Sequence, residues 1–494
     1  MTGTAMTAGA ESSQCRQRST ALTRTAVQLS VWALATFFAA NAAASPPLGP
    51  PPPVNPFVAR EGLGTQHGDT AASDTSPLAG PGIAGVSTAV IPLPALCPSL
   101  LAGADGLPLA ICIQLLDQAP VIYLLDRDSG LPLASLALPK SELLSDVYPY
   151  VDAHGRVVMV VGNNVLSWIG HRRTLSGWEL RVERSVSLDA AIRARCGGAA
   201  CGSVVGLVPD YAGRIWFATS YGTVGVLEPS TGHIETSLLP AGEGVANSIA
   251  SAPAGVAVVS DHALYLFGTD AQCKPQQRFR AVYDRGPARK PGQLSHGSGT
   301  TPTFFGPITG ADYVTIVHNA SPVEHLLVYA ARGSGSPVCD LALPAPTGNG
   351  TEISPIAIGR TIIVTGSYGY PYPIALPEPS VPPQAAITGG ITRVELDETG
   401  CHEVWTNQVR SAALPKLSRL DGSIYTIERT FLVDPSSPSP LDTYQYTVIS
   451  AATGLLLFQQ PVGIGTDTLE LSGSIARGQV FYQGFLGGLL RISR

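Results

Sequence analysis

The sequence predicts an all-β protein, a β-propeller of seven blades with eight as the alternative, and three observations carry that reading. Short runs of β-branched, aromatic and leucine residues recur along the chain, each opened by a polar turn with a glycine. Seven such glycines (Gly155, Gly213, Gly255, Gly310, Gly359, Gly422 and Gly478) lie about 54 residues apart on average, close to the roughly 40–50 of a propeller blade. Helical periodicity is weak everywhere except over residues 187–195.

The first element is an address rather than a fold. Arg16, Arg18 and Arg24 precede an apolar stretch over 26–40, and Ala42-Ala43-Ala44 supplies an A-x-A cleavage pattern. Residues 1–44 therefore read as a secretory signal peptide, which places the protein in the bacterial periplasm or outside the cell. The alternative is an inner-membrane anchor formed by uncleaved residues 26–44, a stretch nearly long enough to span. Residues 45–56 hold seven prolines, a stiff polyproline II spacer. Residues 57–85 are rich in Gly, Ala, Ser, Thr and Asp, so 45–85 is expected to be a disordered tether. The folded body is expected over 86–494, as one domain.

Within that body each unit starts alike. Asp152-Ala153-His154-Gly155-Arg156 leads into five consecutive apolar residues, and Tyr211-Ala212-Gly213-Arg214 leads into Ile215-Trp216-Phe217. The remaining marker glycines open Val256-Ala257-Val258-Val259, Tyr313-Val314, Ile362-Ile363-Val364, Ile424-Tyr425 and Val480-Phe481-Tyr482. A second turn, acidic or small and ending in Gly, recurs at Gly130, Gly232, Gly400 and Gly454. The last unit stops at 489–492 without its outer strands, and 121–138 has strands without a marker glycine before them. Together they complete one blade, so strands from both ends of the chain close the ring and remove its free edges. A further strand set at 107–116 would raise the count to eight.

The turn Ala451-Ala452-Thr453-Gly454 followed by Phe458, and Asp397-Glu398-Thr399-Gly400 followed by Trp405, resemble the repeat of quinoprotein (PQQ)-like β-propellers. The resemblance covers about residues 115–494 at the level of the repeat, and it implies four-stranded blades stacked around an axis. Quinoprotein dehydrogenases also carry a disulfide between adjacent cysteines, and this chain has no adjacent Cys-Cys pair. No quinone, and no other cofactor, is expected.

Charge narrows the function further. Charged residues make up 13% of the chain, about half the usual quarter, and the net charge is −6, which argues against a nucleic-acid partner. No G-x-S-x-G, H-E-x-x-H or P-loop pattern occurs. The G-x-G-x-x-G at 80–85 lacks a preceding strand and contains Pro81, so it reads as linker composition. Asp126-Arg127-Asp128-Ser129-Gly130 starts like a calcium loop, but position twelve is Ala137, and a hairpin turn is favoured. His318 and His325 flank Asn319 and Glu324 and read as solvated loop histidines; no metal is expected. Cys97 with Cys112 and Cys196 with Cys201 are local disulfide pairs. Cys273, Cys339 and Cys401 compete for one bridge, leaving one thiol over.

Two polar loops stand out. Residues 283–302 concentrate Arg285, Arg289 and Lys290 and then run through Ser298, Thr300 and Thr301. Residues 366–372 interleave Gly369 with Tyr368, Tyr370 and Tyr372. Loops at blade entrances gather at the axial mouth, so Lys290, Ser298, Thr300, Thr301, Asn319 and Tyr368 are the candidate ligand-binding residues. The first loop suits an anionic or hydroxylated ligand, and the second suits a sugar or another flat ligand. No catalytic residue is assigned. The expectation is an exported, monomeric, non-catalytic binding module for a small molecule, glycan or protein. The alternatives are an axial-site enzyme of the lactonase, lyase or dehydrogenase type, and an envelope scaffold.

Overall fold

A computed structural model describes residues 48–494 except 61, 141–147, 197–200, 374–375, 377 and 437. The signal peptide and the membrane-anchor alternative lie outside the described residues. Among those described, no helix is long and apolar enough to cross a membrane.

Seven antiparallel sheets follow one another around an axis as seven blades of a β-propeller. The second blade runs from Tyr150–Val151 to Gly177–Ser187, the third from Val204–Pro209 to His233–Leu238, and the fourth from Ala250–Ala252 to Pro275–Val282. The fifth runs from Thr303–Phe305 to Pro337–Ala342, the sixth from Ile356–Ile358 to Gly400–Asn407, and the seventh from Lys416–Ser418 to Leu456–Ile464. The first strands of neighbouring blades touch one another and so line the axis. The next strand of each blade is buried on both faces between its neighbours, which is why Val157–Val161 and Ile215–Thr219 read as unbroken apolar runs. Outer strands such as His233–Leu238 and Pro337–Ala342 are largely exposed, and their sequences turn polar.

The first blade closes the ring. Its order is Gly473–Ala476, Val480–Ser493, Ser87–Ala102, Pro108–Gln114, Pro120–Leu125, Pro132–Ala137. Ser87 pairs with Ser493, and the register runs back to Leu96 opposite Leu486. The far end of the same long strand pairs instead with Pro108–Gln114. The extra strand set anticipated at 107–116 therefore exists, but it bonds into the closing sheet, and the sheets number seven.

The repeat turns have a common cause. Asp152 Oδ1 accepts from the backbone N–H of His154 and of Arg156, at 2.9 and 3.0 Å, while Oδ2 takes the Arg156 guanidinium. Asp210 does the same with Ala212 and Arg214. Gly155 and Gly213 sit at φ 81° and 89°, the left-handed region those turns require. The quinoprotein-like turn is packed just as concretely: Gly454 lies under the Trp405 ring, and Trp405 Nε1 donates to Ala451 O at 3.1 Å. The one α-helix among the described residues, Asp189–Cys196, falls where helical periodicity was read. Disulfides join Cys97 to Cys112, Cys196 to Cys201, and Cys339 to Cys401, the last between the outer strands of the fifth and sixth blades. No described cysteine of the full chain is a free thiol, Cys273 included; the leftover thiol is an expectation for the chain freed of residues 1–44.

The disordered tether is corrected more deeply. Residues 48–57 run beneath the blades: Tyr211 Oη donates to Pro53 O at 2.5 Å, and Gly310 and Gly359 abut the backbone of Pro51 and Leu48. Residues 58–60 and 62–78 then fill the axial channel. Ala71 to Ser76 are buried, Ser73 and Asp74 completely. The segment's carbonyls take a backbone N–H from six of the seven blades: Ala102 N donates to Leu63 O, Val151 N to Gly64 O, Ser251 N to Thr70 O, Phe304 N to Ala71 O, Ala357 N to Ser73 O and Leu417 N to Asp74 O. Asn55 Nδ2 reaches Pro209 O of the third blade at 2.9 Å. A composition poor in large apolar residues does not make this segment disordered. The channel offers it unpaired backbone donors, and its carbonyls take them.

Candidate functional site

The second, third and fourth blades join their second and third strands by short turns, at 162–164, 220–222 and 260–262. The sixth blade instead inserts 366–390 at that place, and the seventh inserts 431–442. Long loops on an otherwise economical scaffold are where binding sites are built. These two meet the 283–302 strap that connects the fourth and fifth blades. Gly369 N donates to Pro291 O at 3.0 Å, Val381 N to Arg289 O at 2.8 Å, and Ile387 N to Pro435 O at 3.0 Å. Ser367 Oγ donates to Gly292 O at 2.9 Å.

Between them opens a cleft of about 780 Å³. Its walls include seven prolines (Pro291, Pro371, Pro373, Pro379, Pro383, Pro438 and Pro440) together with Tyr370, Tyr372, Tyr444, Arg289, Arg429 and Asp467. The proline rings stiffen the rim. Its arginines are already hydrogen-bonded within the protein, Arg429 to carboxylates and Arg289 to backbone carbonyls. Arg429 donates from Nε to Asp442 at 3.0 Å and from Nη1 to Asp467 at 3.3 Å, and it lies over the rings of Tyr370 and Tyr444. Arg289 Nε donates to Glu378 O at 2.9 Å, and its Nη1 to Gln293 O at 2.5 Å. Tyr370 donates its hydroxyl to Asp467, and Tyr372 to Glu470. Burial, reinforced by these carboxylates, pushes both hydroxyls well above the usual tyrosine range.

Behind Tyr372 lie two acids held uncharged. Burial raises Glu352 to about 8 and drives Glu470 well up, and each is raised further by a neighbouring acid. Both oxygens of Glu352 are buried, with Asn247 and the Leu294 backbone beside them, and Oε1 of Glu470 is buried without a hydrogen-bond partner. With no exposed carboxylate oxygen on Glu352, these acids do not present themselves to the cleft.

The six residues singled out from sequence fall elsewhere. Lys290 is buried: Nζ donates to Ala320 O at 2.7 Å and faces Glu324 at 3.6 Å. Burial lowers Lys290 and raises Glu324 to about 8. Asn319 donates from Nδ2 to Arg285 O and Ala288 O at 2.9 and 3.0 Å. Tyr368 is half-buried, and its ring and the Lys290 stem both flank Gly350. These three pin the strap to the fifth and sixth blades. Ser298 and Thr300 bond each other at 2.9 Å, and Thr301 N donates to Ser354 Oγ at 2.9 Å, where the fifth blade starts. None of the six lines the cleft, whereas Arg289, Pro291, Gly369 and Tyr370, their immediate neighbours in sequence, do. Arg429 and Tyr444 went unread, and the long 431–442 loop beside them was the available signal.

His318 is buried, not solvated, and His325 and Asp340 lie close enough to share a metal ion with it. Their geometry is that of a hydrogen-bonded stack. The two rings lie 5.2 Å apart and 23° from coplanar. His318 Nδ1 accepts from Ala320 N at 3.0 Å, and His325 Nδ1 is taken by Asp340 at 2.6 Å. Burial, with His325 beside it, holds His318 down to about 4.

No family model matches the chain. An uncharacterised protein of Archaeoglobus fulgidus is 32% identical over 133 residues, which is 26% of this chain; the match spans only a quarter of that relative's length. Among solved structures, the Cps50 (Swd1) β-propeller domain of Myceliophteria thermophila is similar over 63% of this chain and 83% of its own, at 14% identity and a TM-score of 0.36. Streptogramin B lyase is similar over 83% of this chain and 97% of its own, at 10% identity and a TM-score of 0.40. Quinohemoprotein alcohol dehydrogenase from Comamonas testosteroni is similar over 88% of this chain and 80% of its own, at 11% identity and a TM-score of 0.41. These likenesses concern the architecture and carry no activity to this chain.

Proposed function

We propose that the protein is a non-catalytic binding module that takes an uncharged, ring-faced ligand such as a neutral sugar in the cleft between the 283–302, 366–390 and 431–442 loops. One observation carries this reading: the cleft is large, and Arg289, Arg429 and Asp467 in its wall are already hydrogen-bonded within the protein. Arginines already bonded within the protein are poor anchors for a charged ligand, and the aromatic and proline faces remain for contact. Three disulfides suit an oxidising compartment, and the protein acts there after export.

The test is a glycan array carrying neutral and acidic glycans, read with wild type, Tyr372→Phe and Tyr372→Ala. Neutral glycans bind, Phe retains binding, and Ala weakens it at least tenfold. Binding confined to acidic glycans, or untouched by Tyr372→Ala, overturns the reading.

A further inference from the structure

The geometry points to the axial channel as a peptide-binding site whose resident ligand is the chain's own segment 55–78. The recognition is by main chain. Six blades each present an inward-facing N–H, from Ala102, Val151, Ser251, Phe304, Ala357 and Leu417, and each is taken by a carbonyl of the segment. A seventh bond of the same kind, Arg419 N to Ser76 O at 2.8 Å, continues the parallel pairing of Thr75–Ser76 with Lys416–Ser418. This is the logic by which sheet edges take up an extended peptide: backbone bonds hold it, and a few side chains fix its register.

Lys416 of the seventh blade fixes the register, and side-chain bonds within the segment hold its shape. Asp74, fully buried, forms an ion pair with Lys416, and its other oxygen faces His67 Nδ1 at 2.9 Å. Lys416 Nζ also donates to Gln66 O at 2.7 Å. Asp69 folds the segment on itself, its Oδ2 accepting from Ser73 Oγ at 2.6 Å. The partner this channel fits is thus a peptide that folds through turns between Thr65 and Asp74, runs extended over Thr75–Ser76 and sets one carboxylate opposite Lys416. The segment leaves the channel through residues 83–85, which are exposed. A side chain added at Gly82 or Gly85 would meet nothing within 4 Å. The connection there is a covalent convenience and not part of the site.

The experiment cuts that connection in the folded full-length protein. A protease site inserted between Ala84 and Gly85 is cleaved under native conditions, and the product is followed by gel filtration and by thermal melting with added synthetic peptide of residues 48–82. The N-terminal fragment stays with the body through gel filtration. The melting temperature of the cut protein depends on concentration and rises with the peptide, as for any ligand that binds only the folded form. A peptide carrying Asp74→Asn raises it less. A cut protein that releases the fragment, or that melts like the uncut one at every concentration and ignores the peptide, overturns the proposal.

Discussion

Asp74 and Lys416 form a fully buried ion pair between residues 342 positions apart in sequence, joining the axial segment to the seventh blade. Burial lowers the Lys416 amine, and Asp74 opposes that shift. Removing one partner leaves the other charge buried and unpaired, a loss of about 3–5 kcal/mol. Asp74→Asn and Lys416→Met each lower stability by about that much, whereas the double variant loses less than either, as urea unfolding will show.

The Cys339–Cys401 disulfide ties the outer strands of two blades across a sequence separation of 62. The loop it closes predicts a stabilisation of about 2–4 kcal/mol through the unfolded chain. The Cys339→Ser/Cys401→Ser variant unfolds at correspondingly lower urea, and adding reductant to wild type moves its midpoint the same way.

Glu352 gives the pH dependence a definite sign. Burial raises it from 4.5 to about 8, so the folded state keeps a proton that the unfolded state has released. Its contribution is fully present below pH 4.5 and is lost as pH rises toward 8. Glu352→Gln removes that slope, and at pH 8 the variant is more stable than wild type by about 1–3 kcal/mol in paired melts.

Gly369 holds the aromatic loop in place. Its φ is 87°, and an added Cβ would lie 2.3 Å from Ala386 O. Gly369→Ala costs about 1–3 kcal/mol and displaces Tyr370 and Tyr372 from the cleft. Glycan binding is therefore lost at temperatures where circular dichroism still reports native sheet.

The blades were legible because local chemistry dictates them. Asp152 with Gly155, and Asp210 with Gly213, build the same turn wherever they occur, and strands buried between two blades must read as apolar. The ring closure followed from the incomplete units at the two ends. The axial segment was illegible because its bonds are backbone bonds. Nothing about Ser73 or Ala71 as residue types says that their carbonyls meet Ala357 and Phe304. The cleft was half legible. The 366–372 and 283–302 loops were singled out, but the backbone turns Lys290 toward Glu324 and leaves Arg289 in the wall. The most polar residues of those loops hold the loops together, and their neighbours line the cleft.

Hydrogen exchange at the channel amides is the most direct test. Val151, Ser251, Phe304, Ala357 and Leu417 donate to the axial segment, and the account predicts that their amides exchange only as slowly as the whole protein unfolds. Exchange at these five sites as fast as in exposed turns would mean a water-filled channel, and would contradict it.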